Sequence, residues 1–227
     1  MSIILISTTK NGLISLCAKQ LNNLLTFDET HELNILQKSI DIALERTEYN
    51  FKFNKNKYYS KNNQVYFNPF HSGQYSVFLY YLSHTIWKKF KYNDLADRVY
   101  YLNKIFNSID LYFEVELPDI FSLEHPIGTV MGRASYSDFF SFSQNCTVGN
   151  NKGIYPTFEK NVVLFSGVTV IGNCKIGENC LISANTYIKD TDIPNNSIVF
   201  GSSPNLIIKK KNKAYMERYF KSRWINS

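Results

Sequence analysis

The segment FEKNVV LFSGVT VIGNCK IGENCL ISANTY I, residues 158–188, decides the fold. Written in sixes, every row opens on an apolar residue: Phe158, Leu164, Val170, Ile176, Ile182 and Ile188. A period of six fits neither the 3.6 of an amphipathic helix nor the 2 of a strand. It fits a chain that turns a corner every six residues and sends one side chain inward each time, a triangular β-solenoid. A second register agrees. Four residues after each inward position stand Val162, Val168, Cys174, Cys180 and Thr186, all small enough for a tight interior corner.

Upstream, Val130, Tyr136, Phe142 and Val148 keep the same phase, with Ala134 and Cys146 at the small position and a bulky Phe140 against it. Between Val148 and Phe158 the spacing is ten, which predicts a loop around Gly149-Asn150-Asn151-Lys152-Gly153. A loop leaving a regular scaffold is a natural place for function.

Ahead of the solenoid the pattern is helical. Leu13, Leu16, Leu21, Leu24 and Leu25 open residues 1–70, followed by Ile35, Ile40, Ile42 and Leu44; Asn54 to Asn63 reads as a polar loop. Ser72-Gly73 precedes a strong helix carrying Val77, Phe78, Tyr81, Leu82 and Ile86, with His71 placed to cap it. Asn93 and Asp94 are expected to cap a further helix through Ile109. After the coils, Tyr215, Met216, Tyr219, Phe220 and Trp224 fall at helical spacing, a stripe that reads as packing against a coil or partner. The expected organisation is a helical region over 1–118, a solenoid over 119–208 and a basic helix or tail over 209–227.

The chain has 227 residues and a net charge of +6, enough length for a real core in two units. The opening run Met1 to Ile6 is too short for a secretory signal and lacks its basic start, and no apolar stretch reaches membrane-spanning length. Cys17, Cys146, Cys174 and Cys180 have no metal or redox spacing, and three of them sit at the small corner position. A cytoplasmic setting without stable membrane insertion is expected. Positive charge crowds the end of the chain: Lys209, Lys210, Lys211, Lys213, Arg218, Lys221 and Arg223 face only Glu217 there. A phosphorylated cofactor, nucleic acid and an anionic membrane are all readings of such a cluster, as is a solvated helix end; no nucleic-acid partner is assigned.

Of four histidines, His31 and His84 lie in helical patterns and read as surface or packing residues. His125 stands in Leu123-Glu124-His125-Pro126-Ile127-Gly128 at the mouth of the first coil, beside a carboxylate. An imidazole is the side chain best matched to taking a proton from a hydroxyl at neutral pH. A neighbouring carboxylate is suited to fix its tautomer and to stabilise the imidazolium that forms.

These residues carry a resemblance. Leu123-Glu124-His125 through Gly128-Thr129-Val130-Met131-Gly132 resembles the serine acetyltransferase segment in which an Asp-His pair precedes two glycines. Cys146-Thr147-Val148-Gly149 is similar to the stretch that opens that family's loop, and Phe200-Gly201-Ser202-Ser203-Pro204 to its exit from the coils. The resemblance covers roughly residues 70–210. It implies a left-handed parallel β-helix, a homotrimer with active sites between subunits, and acetyl-CoA as the acyl donor, with no metal. It carries the general base to His125, the place of the orienting acid to Glu124, and the cofactor contacts to Gly149, Ser166, Gly167, Asn185, Lys209 and Lys210.

The family's loop carries a basic residue and a His before its proline, which bind the carboxylate region of the amino acid. Here those positions read Ile154-Tyr155-Pro156. Losing that cation removes a charge-assisted contact, and Tyr155 offers an aromatic face and a hydroxyl. With Phe139, Phe140 and Phe142 nearby in sequence, the expectation is an O-acetyltransferase acting on a sugar or surface-glycan precursor in polysaccharide biosynthesis. The alternatives are a serine O-acetyltransferase with an altered acceptor loop and a non-catalytic trimeric scaffold. A metal-dependent hydratase would need several histidines on adjacent coils, and beyond His125 the coils contain none.

Overall fold

Eighteen residues separate strands stacked one above the other in the predicted coils: Val162 lies opposite Cys180, and Thr169 opposite Tyr187. The computed structural model describes residues 4–225 and divides into two units, one formed by residues up to Lys52 with Asn56–Glu114, the other by Phe53–Lys55 with Val115 onward.

The first unit is helical. Strand β1 (Leu5–Ile6) leads into α1 (Lys10–Leu24), capped by Thr9, whose hydroxyl accepts from the Gly12 N–H at 3.0 Å. Helix α2 (Glu29–Phe51) is capped by the Asp28 carboxylate on the N–H groups of Thr30 and His31. Strands β2 (Ser60–Lys61) and β3 (Gln64–Phe67) follow, then α3 (Ser72–Thr85), α4 (Asn93–Asn107) and β4 (Ile109–Leu111). Helix α3 is buried from Gly73 to Thr85 on every side, as a helix without a polar face must be. His71 caps it as expected, Nδ1 accepting from the Gln74 N–H at 3.3 Å.

Three expectations for this unit change. Met1 to Ile3 lie outside the described residues, but the end of that opening run is β1, paired parallel with β3. The polar stretch 54–63 is not all loop: Asn62 and Asn63, both at positive φ, make the two-residue turn of the β2–β3 hairpin. Two-residue strands are too short to show an alternation. Helix α4 begins at Asn93, with Tyr92 in the capping place and no side-chain cap. Asp94 therefore lies inside the first turn, where its charge suits the helix dipole.

The second unit is the solenoid. One face stacks β5 (Phe121–Leu123), β8 (Phe140–Phe142), β11 (Val162–Leu164), β14 (Cys180–Ile182) and β16 (Ser197–Ser202), all parallel. A second stacks β6 (Thr129–Met131), β9 (Thr147–Gly149), β12 (Thr169–Ile171) and β15 (Tyr187–Lys189). The third holds β7 (Ser135–Tyr136), β10 (Thr157–Phe158) and β13 (Lys175–Ile176). All six apolar residues that open the hexads from Phe158 to Ile188 are buried, and so are the five small corner residues. The upper coils are filled by aromatics instead. Tyr136 stacks on Phe158 with centroids 5.4 Å apart, and Phe140 lies 5.1 Å from Phe158.

Val130 is 42% exposed, and its neighbour Met131 faces inward opposite Val148. That coil is one residue short of eighteen, so the inward phase slips by one above Val148. The same slip puts Ile193 under Ile176 at the far end.

Corners are made by residues in the left-handed region, where asparagine is tolerated better than most. Gly128, Asn145, Gly167 and Asn185 form one corner column; Phe139, Asn161, Asn179 and Asn196 form another. In the latter, Asn161 donates to Asn179 at 3.0 Å and Asn179 to Asn196 at 3.1 Å. The ladder ends at Phe139, which has nothing to donate, and the buried Asn161 Oδ1 has no partner among the described residues.

Outward-pointing Val163 and Leu181 would leave an apolar face in water. Helix α5 (Lys213–Arg223) covers it with Met216 and Phe220, and Trp224 follows, in one cluster with Ile120 and Phe139. The predicted stripe is packing. Lys209 and Lys210 do not open this helix: they end β17 (Asn205–Lys210), the antiparallel partner of β16. Asn226 and Ser227, at the end of the predicted tail, lie outside the described residues.

Candidate active site

His125 has φ of +51°, left-handed for a non-glycine residue, and Pro126 follows it. The proline ring further restricts the residue before it, so the surroundings must hold this turn in place. They do so through the backbone. The Glu124 N–H donates to Phe142 O at 3.0 Å, Thr129 N–H to Pro126 O at 3.2 Å, and Asn145 N–H to Ile127 O at 2.9 Å. The result is an imidazole presented to solvent at the start of the coils.

Glu124 is not hydrogen-bonded to that imidazole. Its Oε1 lies 2.7 Å from Nη2 of Arg223, at the end of α5, with the side chains 48% and 21% exposed. Among the described residues no hydrogen bond reaches the His125 ring. Sequence reasoning missed Arg223, for no spacing rule links positions 99 apart.

The predicted loop is there, tightly made. Ser135 pairs with Thr157 and Thr157 with Lys175, intervals of 22 and 18 residues, so this coil carries four extra residues. Asn151 and Ile154 pair across a turn with Lys152 and Gly153 at positive φ. Asn151 Nδ2 donates to Asp190 Oδ2 at 2.5 Å, tying the turn to the coils. Tyr155 is half-buried, its hydroxyl accepting from Asn150 Nδ2 at 3.4 Å. Its ring lies against Gly132, where a Cβ would stand 3.1 Å from Cε1 and 2.6 Å from Val148 O. The glycine is what admits the tyrosine.

Ser166, Gly167 and Asn185 come together at one corner. Asn185 N–H donates to Ser166 O at 2.9 Å, and its side-chain oxygen covers Gly167. Gly149 lies one coil above, opposite Ile171. Lys209 and Lys210 are exposed on β17, with Lys209 Nζ 5.4 Å from the Phe200 ring centroid. None of these residues hydrogen-bonds to Glu124 or His125.

Phe139, Phe140 and Phe142 do not line an acceptor site. Phe140 and Phe142 fill the interior, and Phe139 lies under Trp224 at 5.6 Å. Packing claims all three, two inside the coils and one against the residue that follows α5. Among the described residues no three His, Cys, Asp or Glu side chains are grouped to hold a metal, and no helix is long and apolar enough to cross a membrane.

Stacked coils with six-residue faces, interrupted by one loop excursion, make this unit a parallel β-solenoid. The sequence profile of the bacterial transferase hexapeptide family (six repeats) matches residues 155–190. The chain is built on the serine acetyltransferase fold, a left-handed parallel β-helix behind N-terminal helices. It is similar to the putative serine acetyltransferase of Schizosaccharomyces pombe, 28% identical over 57% of this chain and 49% of that protein. It is also similar to the serine acetyltransferase of Staphylococcus aureus (strain Mu50), 24% identical over 62% of this chain and 67% of that one. The chain thus spans about half the length of the first relative. Among solved structures, the serine acetyltransferase of Brucella abortus in complex with coenzyme A superposes with a TM-score of 0.65 at 18% identity, covering 91% of this chain and 84% of that one. At that identity the likeness concerns the fold.

Proposed function

We propose that this protein is an acetyl-CoA-dependent O-acetyltransferase of the serine acetyltransferase type, with His125 as general base. The observation that carries the reading is the exposed imidazole on its constrained left-handed turn, at the start of a hexapeptide solenoid. His125 takes the proton from an acceptor hydroxyl, and the oxygen attacks the thioester carbonyl. Backbone N–H groups stabilise the tetrahedral oxyanion. Its collapse forms the ester, breaks the C–S bond, and returns the proton from the imidazolium to the leaving thiolate.

Ser166, Gly167 and Asn185 offer a polar corner for the pantetheine arm, Gly149 lies a coil above, and Lys209 and Lys210 supply positive charge for the cofactor phosphates. The proposed assembly is a homotrimer.

The curated relatives support a small hydroxylated amino acid as acceptor over a sugar. With the three phenylalanines assigned to packing, the saccharide reading keeps one specific support: Ile154 stands where the serine acetyltransferase loop has its basic residue, and Tyr155 where it has its His. Thiol release from acetyl-CoA, measured with L-serine against nucleotide sugars and oligosaccharides, decides between them. Turnover with L-serine is expected. Turnover confined to a saccharide reverses the assignment, and none with either acceptor class removes it.

A further inference from the structure

We propose that Arg223, at the end of the C-terminal helix, is a positioning residue for acyl transfer: through its ion pair with Glu124 it fixes the turn that presents His125. The inference rests on the acyl-transfer reading above and adds a part to that site.

Consider what holds residues 124–128. The turn is left-handed at His125 and precedes a proline, a conformation that local preference does not favour. Backbone hydrogen bonds secure it at Glu124, Ile127 and Thr129. Among the described residues, the one side-chain ion pair or hydrogen bond made by this stretch is that of Glu124 with Arg223. With no hydrogen bond on the imidazole itself, its direction depends on the turn, which these backbone bonds and the one side-chain grip on Glu124 hold together.

Arg223 is well fixed for such a task. Its carbonyl accepts from the Lys55 N–H at 3.0 Å, and two residues on the Ile225 N–H donates to Phe53 O at 2.7 Å. These two bonds flank Trp224 and tie the chain that follows the Arg223 side chain to residues 53–55. Phe220 and Trp224, buried against the solenoid, anchor the helix end. Nη1 meets the Tyr219 hydroxyl at 3.4 Å, leaving Nη2 for Glu124. With its helix end so held, the side chain offers the Glu124 carboxylate a positive charge at a fixed place. The pair is exposed enough to contribute little to stability, so its removal should be felt in the placement of the base rather than in melting. The pair also keeps the Glu124 carboxylate engaged away from the imidazole, which leaves both ring nitrogens open to the acceptor.

The test uses the full chain and thiol release from acetyl-CoA, with KM for each substrate and the melting temperature alongside. Arg223→Met keeps the apolar stem on the helix and deletes the charge. It is expected to lower kcat roughly ten-fold, within the range a sub-ångström misplacement produces, with KM for acetyl-CoA and Tm little changed. Arg223→Lys should recover most of the loss. In a double-mutant cycle with Glu124→Gln, the double variant should lose no more than Glu124→Gln alone.

An Arg223→Met enzyme with wild-type kcat, a loss that lysine does not restore, or losses that add in the cycle would each overturn the inference. If Arg223→Met is too unstable to assay, the Lys variant and the cycle built on it decide: unchanged KM with a non-additive loss supports the proposal, and additivity overturns it. Wild-type activity no higher than that of His125→Ala removes the acyl-transfer reading and this inference with it. An active wild type with an indifferent Arg223 removes this inference alone.

Discussion

A left-handed histidine before a proline is an uncommon thing for a chain to keep on its surface. His125 forms no part of the core, so changing it should leave the fold alone and strike the chemistry. His125→Ala is expected to lower kcat by roughly 100-fold or more while Tm stays within error; a variant of full activity sinks the assignment of the base. Gly167 is the contrary case. Its φ is +71°, and a Cβ there would stand 2.4 Å from Asn185 Oδ1. Gly167→Val combines backbone strain with displacement of Asn185, and a loss of roughly 1–3 kcal/mol in unfolding free energy is expected. Isothermal titration with CoA should show weaker binding as well, if this corner receives the pantetheine arm. Both residues were named from sequence, His125 by chemistry and company and Gly167 through the family resemblance. The company of His125 was misread: Glu124 is adjacent in the chain but turns to Arg223. Adjacency in sequence says nothing of which way two side chains point.

Among the elements, α5 depends most on tertiary contact. It is an 11-residue helix, near the length that is marginal in water by itself. What keeps it is the outward apolar face of the coils, Val163 and Leu181, against Met216, Phe220 and Trp224. Trp224→Ala removes the ring that packs on Phe139, and denaturant titration should show a loss of about 3 kcal/mol or more. Because Arg223 is the preceding residue, kcat should fall with it; stability lost with full activity retained would argue that α5 is only a cover. The helical stripe was plain in the sequence, yet its destination was not. Val163 and Leu181 look like ordinary strand residues until three coils are stacked. The small β1–β3 sheet was missed for a related reason: its strands are two to four residues long, and pairing Leu5 with Tyr66 needs the intervening helices in place.

At the scale of the whole molecule, thiols in both units report on burial. Desolvation pushes the Cys17 thiol up to about 12, against a smaller opposing hydrogen bond from Tyr75, and pushes Cys180 up to about 11. A folded-state value above the unfolded one means stability that is intact below about pH 9 and is lost as pH rises toward 11 to 12, since the unfolded chain then binds fewer protons. Unfolding free energy should accordingly fall between pH 9 and 11. All four cysteines, which are buried and free, should resist a thiol reagent at pH 8 until denaturant is added; rapid labelling of the native protein would contradict this burial. Light scattering after size exclusion tests the proposed trimer, for which three times the 26.4 kDa chain mass is expected.

By itself the sequence determined the solenoid, its loop and the histidine at its mouth. Inward side chains at every sixth residue are a local geometric demand that each coil repeats, so the pattern survives in one dimension. Tertiary structure decided the rest: the one-residue slips that bring Met131 and Ile193 inward, the asparagine ladder that ends at Phe139, the use of the phenylalanines as filling, and the grip of Arg223 on Glu124. Each depends on which residues of distant coils or helices come to lie side by side, and that follows from how the surfaces stack rather than from any spacing along the chain.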